Sequence, residues 1–239
     1  MMEEKKKRCV ECGSHVESLY VQYSPGNIRL MKCERCKAVA DGYIECEHMI
    51  LLIDLILHKP QAYRHLLFNL LDQPTVDSKG LLWKSALIYL ALDAYRFIFL
   101  QLARQGWPSS SSGGFSSILL FSGKMIFDIF LGNFLLFAVF LVMTSGEDNV
   151  SRLKDRSLVS SILISSYFKF FLLVTLVWEF PSSVIYVIDL FVLSSNAMVL
   201  KVLTKSTSER CIWTCVAAHA TRLLAAEGGA LATGDEKEK

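Results

Sequence analysis

Apolar and polar positions along this chain fall into two textures. From residue 81 onward, apolar side chains run nearly unbroken through four stretches, about 81–100, 118–143, 157–180 and 184–203. Each is near or above the ~20 residues a helix needs to cross a bilayer. The pattern therefore predicts four transmembrane helices. The first is the weakest, because Lys84, Asp93 and Arg96 interrupt it. Ahead of them, YIECEHMILLIDLILH (43–58) sets Ile50, Ile53 and Leu57 beside Leu51 and Leu55 at helical spacing. Its apolar core is too short to span. Pro60 ends or kinks this helix, and YRHLLFNLL (63–71) follows as a second short amphipathic piece. Both pieces suit the membrane interface, or packing on the rest of the protein as ordinary core.

Before residue 43 the period changes to two. Leu19–Tyr23 and Ile28–Lys32 read as short strands around Ser24-Pro25-Gly26-Asn27, which has Pro and Gly where a type II turn wants them. Gln73–Ser78 reads as a linker, Ser109–Gly114 as a flexible low-complexity loop and Pro181–Ser183 as a tight turn. Cys211–Ala226 reads as a shorter amphipathic stretch, and Gly228–Lys239 as a polar, disordered tail. The organisation expected is a head over 1–42, amphipathic helices over 43–72, a membrane region over 73–210 and a final segment over 211–239.

Composition supports a membrane protein. Of 239 residues 52% are hydrophobic, and mean hydropathy is +0.37, above the usual apolar share of a soluble domain. Charge is concentrated in the first 65 residues, and the net value of +2 says little about nucleic acid. Loop charge sets the orientation. Arg104 alone lies between the first two spans, while Arg152, Lys154 and Arg156 lie between the second and third. The next loop has no Lys or Arg, and Lys201, Lys205 and Arg210 come near and beyond the end of the fourth span. Rich and poor loops alternate, as the positive-inside rule requires for a cytosolic head. Met1–Arg8 is charged rather than apolar, which fits a head without a secretory leader.

Seven cysteines are present, an odd number that does not suit a closed disulfide framework. Cys9-x-x-Cys12 and Cys33-x-x-Cys36 sit at knuckle spacing with the hairpin between them. Such a hairpin brings both knuckles to one end, where four thiolates surround a tetrahedral ion; structural zinc is the expected cofactor. Reduced thiols or a redox pair are the alternatives. His15, Cys46 and His48 are substitute ligands to be weighed against roles on the surface or in packing.

Ionisable residues inside apolar spans are costly and mark polar pathways or structural pairs. Asp93 and Arg96 stand at i, i+3, and Lys124 and Asp128 at i, i+4, where they can pair along one helical face. Lys169 and Asp189 lie in the third and fourth spans; Lys169 reads as a lysine that snorkels to the interface. No Gly-x-Ser-x-Gly, P-loop or di-metal histidine pattern occurs.

The cysteine pattern, VADGYIE at Val39–Glu45 and LILHKPQAYRHLLFN at Leu55–Asn69 together make residues 9–72 similar to the Arv homology domain. The chain thus resembles the Arv family of endoplasmic-reticulum membrane proteins, its plant branch most closely. The resemblance covers about a quarter of the chain in motif and the rest in character. It implies a zinc-binding cytosolic head with Cys9, Cys12, Cys33 and Cys36 as ligands. It also implies a role in sterol distribution, sphingolipid homeostasis and glycosylphosphatidylinositol anchor synthesis. Tyr63, Arg64, His65 and Asn69 carry the family's signature stretch. With Lys59 they are read here as residues of the lipid or membrane surface.

Three functions compete. The first is a non-enzymatic sterol-handling protein with membrane lipids and lipid-pathway proteins as partners. The second is a membrane transferase using His65, Asp128 or Asp189. The third is a zinc ribbon that recruits a protein to the membrane. Tyr20, Tyr23, Arg29 and Lys32 resemble a nucleic-acid patch, but Glu11, Glu17 and Glu34 dilute it, and no nucleic acid is expected.

Overall fold

The computed structural model describes residues 7–71, 78–105, 115–145, 155–178 and 180–231. It divides into two compact units, Met1–Trp83 and Lys84–Lys239. The expected ribbon and amphipathic helices thus fall in one unit, and the C-terminal segment joins the apolar helices in the other. The expected linker, the Ser109–Gly114 loop and most of the tail lie largely or wholly outside the described residues.

The first unit starts from a hairpin. Strands β1 (Tyr20–Ser24) and β2 (Asn27–Leu30) pair antiparallel, with Tyr20 opposite Leu30 and Gln22 opposite Ile28. Gly26 has φ +83°, the left-handed value that the third residue of a type II turn demands. Such a turn splays the strands, and a register shift at Tyr23 absorbs the misfit.

Two helices follow. α1 (His48–Ile56) buries Asp54 and Leu55 and leaves Met49, Ile50, Ile53 and Leu57 exposed on its outer side. Pro60 opens α2 (Pro60–Arg64) rather than interrupting a helix, because a residue at the first helical position needs no N–H partner. The chain continues as a π-helical turn over His65–Leu70. That wider turn swings His65, Leu67 and Asn69 inward together.

The described secondary structure of the second unit is helical: α3 (Ser78–Gln105, which begins before the boundary), α4 (Phe115–Thr144), α5 (Asp155–Ser165), α6 (Val174–Val177), α7 (Val184–Thr204) and α8 (Ser208–Leu231). An eight-residue 3-10 stretch, Ser166–Leu173, joins α5 to α6. Among the described residues three segments are long and apolar enough to cross a membrane: Ser122–Thr144, Leu158–Val177 and Val184–Thr204. α3 covers the expected first span as one unbroken helix and carries Lys84, Asp93 and Arg96; it is not in that set. The C-terminal segment is a correction. The helix runs to Leu231, past the start of the expected tail. It packs along α4 and α7, burying Cys211, Cys215, Ala218, His219 and Arg222. The two helices run close at Gly132 on α4, where a Cβ would stand 3.4 Å from Arg222 Cγ, in ordinary contact.

Candidate metal centre and buried ion cluster

The two knuckles are built alike. In the first, Gly13 N donates to Cys9 O; in the second, Lys37 N donates to Cys33 O, at 2.9 and 2.8 Å. The residue after each second cysteine is left-handed, Gly13 at φ +70° and Lys37 at +63°. Each turn points its two sulfurs the same way. Cys9 Sγ lies 3.7 Å from Cys36 Sγ, and Cys12 Sγ 3.7 Å from Cys33 Sγ; all four sulfurs fall within 4.8 Å of one another.

A tetrahedral ion with metal–sulfur bonds of ~2.3 Å has sulfur–sulfur edges of about 3.8 Å, so the spacing fits. The thiols are electrostatically unequal without a cation. Burial pushes Cys9 up to about 12. The Ser14 hydroxyl, followed by the backbone N–H groups of Cys36 and Arg35, brings Cys33 down to about 6. A divalent cation would favour the thiolate at all four. Cys46 instead donates to Gly42 O, and neither it nor His15 nor His48 belongs to the cluster.

The helical stretch that follows grips these knuckles. Arg64 Nη1 donates to the carbonyls of Val10 and Glu11, at 2.7 and 2.6 Å, inside the first knuckle. Asn69 pairs with Arg8 as a neighbouring strand would: Oδ1 accepts from Arg8 N and Nδ2 donates to Arg8 O, at 3.0 and 2.9 Å. Asp41 is fully buried and satisfied by three donors. Oδ1 accepts from Tyr43 N, while Oδ2 accepts from His65 Nδ1 at 2.7 Å and Asn69 Nδ2 at 2.6 Å. A carboxylate only accepts, so the His65 proton sits on Nδ1.

Tyr63 is fully buried, donates to Leu55 O and stacks on His58. Lys59 pairs with Asp54 at 2.7 Å. These positions correct the expectation of a lipid-facing surface at Tyr63, Arg64, His65 and Asn69. All four turn toward the knuckles or the helical core, because Asp41 and the knuckle carbonyls would otherwise be buried without donors. Lys59 alone keeps its side chain half exposed.

A second polar assembly lies among the helices. Asp93 Oδ1 accepts from Lys169 Nζ at 2.5 Å and from Arg222 at 2.8 Å. Arg96 is bidentate to Asp189. Lys169 also stands 3.2 Å above the Tyr89 ring. The expected pairing along one helix at Asp93 and Arg96 is therefore replaced by pairing across helices. Lys169 does not snorkel: it is 1% exposed. Its ammonium is held by a carboxylate and an aromatic face instead of by water. Asp128 lines a small cleft beside this cluster, and Lys124 has partners of its own.

Next to it, Ser165 Oγ and Ser166 Oγ donate to Asn196 Oδ1, and Ser195 Oγ donates to Ser165 O where the helix tightens. Asn196 Nδ2 meets His219 Nε2 at 3.3 Å. The sequence reading missed Arg222, Asn133, Asn196 and His219 as members of this interior. The helical spacing of Cys211, Cys215, Ala218, His219 and Arg222, nearly one face, is the signal that pointed to it.

Comparison with known proteins fits this architecture. Residues 8–200 match the Arv1-like family. This chain belongs to the Arv1-like family. Among the relatives of this Arv1-like chain, Protein ARV 1 of Arabidopsis thaliana is 51% identical over 219 residues, 91% of this chain and 86% of that protein. Protein ARV 2 of Arabidopsis thaliana is 46% identical, covering 93% and 95%. The arv1 homolog of Dictyostelium discoideum is 32% identical, covering 90% and 92%. No solved structure matches the chain. The family match takes in both the four-cysteine centre and most of the membrane-length helices. In this Arv1-like chain the 39–45 and 63–69 stretches thus acquire a physical role: they fasten the short helices of the first unit to the four-cysteine cluster.

Proposed function

We propose that this chain is a multi-pass protein of the endoplasmic-reticulum membrane that maintains sterol homeostasis. It acts in intracellular sterol trafficking and distribution, with effects on sphingolipid metabolism and glycosylphosphatidylinositol anchor synthesis. Membership of the Arv1-like family over residues 8–200 carries this reading. The head holds structural zinc on Cys9, Cys12, Cys33 and Cys36, whose all-sulfur donor set at this spacing suits that ion. Zinc there does no chemistry on lipid: it fixes the knuckles that Arg64 and Asn69 grip.

The apolar row Met49, Ile50, Ile53 and Leu57 of α1 is the part of the head that meets the bilayer surface. The protein is not an enzyme in this reading. His65 is committed to Asp41 and Asp189 to Arg96, so two of the three candidate catalytic groups already serve the fold. α3 crosses as a fourth span, its Asp93 and Arg96 matched by partners on the other segments, and both termini are cytosolic.

The test is made in cells lacking the protein. Wild type should restore the distribution of a fluorescent sterol reporter, and Cys33→Ser/Cys36→Ser should not. Normal reporter distribution in the null cells would end the reading. Epitope tags at each terminus should both be cleaved by protease added outside sealed microsomes; protection of one tag would reduce the count to three spans. A second reading, a ribbon that recruits a protein partner, draws on the exposed Tyr20, Val21, Tyr23 and Met31 around the hairpin. Proximity labelling from the head, lost in Tyr23→Ser without loss of sterol rescue, would favour it as an additional role.

A further inference from the structure

Beside the ion cluster, α3, α4 and α8 enclose a cleft of about 30 Å³. Its polar walls are Asp93, Arg96, Asp128, Asn133 and Arg222. Asp93 Oδ2 and Asn133 Oδ1 are buried there with no hydrogen-bond partner. Both residues are more than nine-tenths buried. Leaving such acceptors unmet is costly, so the cleft favours a donor beyond the polar contact that Asn133 itself makes with the Asp93 carboxylate.

Charge narrows the donor. The two carboxylates and two guanidiniums balance, so the lining is electroneutral. A cation would face Arg96 and Arg222, with Lys169 behind Asp93. An anion would face two orphaned acceptor oxygens and Asp128. A neutral hydroxyl meets neither objection. Size agrees: the volume holds a hydroxyl oxygen and about one water, which together supply donors to both acceptors. A phospholipid headgroup does not fit.

The mouth indicates where the ligand comes from. Phe97, Ile129 and Leu223 are its apolar lining, Leu223 is exposed, and Ile126, Phe127 and Phe130 lie exposed on the adjoining turns of α4, one of the membrane-length helices. A bilayer covers such a surface, so a ligand enters with its hydrocarbon part in the membrane and its polar end toward Asp93.

We propose that this cleft binds the hydroxyl head of a neutral membrane lipid, with Asp93 and Asn133 as the acceptors. The proposal rests on the reading of the chain as a lipid-handling protein and adds the site and the head chemistry. Sterols, diacylglycerols and ceramides share that chemistry.

The test uses the full chain in phosphatidylcholine nanodiscs with a diazirine-bearing photoreactive cholesterol as probe. Labelled peptides should map to α3, α4 and α8. Unlabelled cholesterol should compete at least about tenfold better than cholesteryl methyl ether, which keeps the ring system and loses the donor. Competition by cholesterol alone would assign a sterol. Equal competition by dioleoylglycerol or ceramide would assign hydroxyl lipids in general.

Ile129→Trp replaces no member or polar neighbour of the ion pairs described, and Asn133→Leu removes a neutral neighbour of Asp93 but none of its cations; each should lower labelling about fivefold or more. Unchanged elution and melting in detergent would exclude misfolding as the cause. Equal competition by the ether, or labelling indifferent to both variants, would overturn the site and leave a pocket for water alone. If labelling fails while cells lacking the protein still misplace sterol, the site is wrong and the proposed function stands. If labelling succeeds while sterol distribution ignores loss of the protein, the site stands and that function falls.

Discussion

Asn69 shows how much a single side chain carries here. It pairs both backbone groups of Arg8 and donates to buried Asp41. Asn69→Ala would strip a partner from each, at a cost of about 1–3 kcal/mol for the buried groups left unsatisfied. Faster tryptic cleavage of the head in the full-length protein, with unchanged membrane insertion, is the expected readout. Asp54 gives the head a pH dependence. The Lys59 ammonium, then the Tyr43 hydroxyl, hold its carboxyl below the usual carboxylate range. A group with a depressed folded value stabilises fully above its unfolded value and loses that contribution as pH falls through the folded one. Protection of the head from an acid-active protease should therefore be flat at neutral pH and decline below ~4, the ordinary value for Asp. In Asp54→Asn this portion of the decline should vanish.

At the scale of elements, α1 and the 3-10 stretch are the informative cases. α1 turns Asp54 and Leu55 inward and leaves a row of large apolar residues outside. On the proposed reading such a helix lies in an interface, its apolar face a few ångström below the headgroups. Ile53→Trp should place an indole in that layer, and brominated phosphatidylcholine should quench it; no quenching beyond that of the native tryptophans would place α1 in water. Ser166–Leu173 departs from α-helical winding inside a span. The carbonyl of Ser165, just before the stretch, accepts from the Ser195 hydroxyl, the kind of partner that irregular helix needs in hydrocarbon. Lys169 sits within this stretch, buried and paired with Asp93. The local winding and the ion pair thus belong to one arrangement.

The helical unit as a whole is held together by charge in a way its apolar composition conceals. Asp93 on α3 serves Lys169 and Arg222, from two other segments, at once. Removing it with Asp93→Ala leaves two buried cations facing each other, at a cost of about 3–5 kcal/mol. Replacing all three together, Asp93→Leu with Lys169→Met and Arg222→Leu, removes the unpaired charges and should recover most of that loss. Thermal melting of the detergent-solubilised protein checks both. A triple variant no more stable than the single one would mean that the cluster contributes geometry beyond charge balance.

Much of this architecture is legible along the chain. Knuckle spacing, the turn residues Pro25 and Gly26 and apolar run length are local signals, set by backbone conformation and by the thickness of a bilayer. They locate the four-cysteine centre, the hairpin and the long helices to within a few residues. Partnership is a different kind of property. Asp93 and Arg96 stand one turn apart and looked like a pair, yet each bonds a residue far along the sequence. Tyr63, Arg64, His65 and Asn69 have the amphipathic look of a membrane surface, yet they are spent on buried carbonyls and on Asp41. Cys211–Ala226 reads only as a shorter amphipathic stretch, yet its Arg222 closes the ion cluster and one wall of the cleft. Pattern reveals that a group is polar and which face it occupies. Which opposite group satisfies it in a low-dielectric interior depends on what the packed helices bring within ~3 Å, and only the tertiary structure decides that.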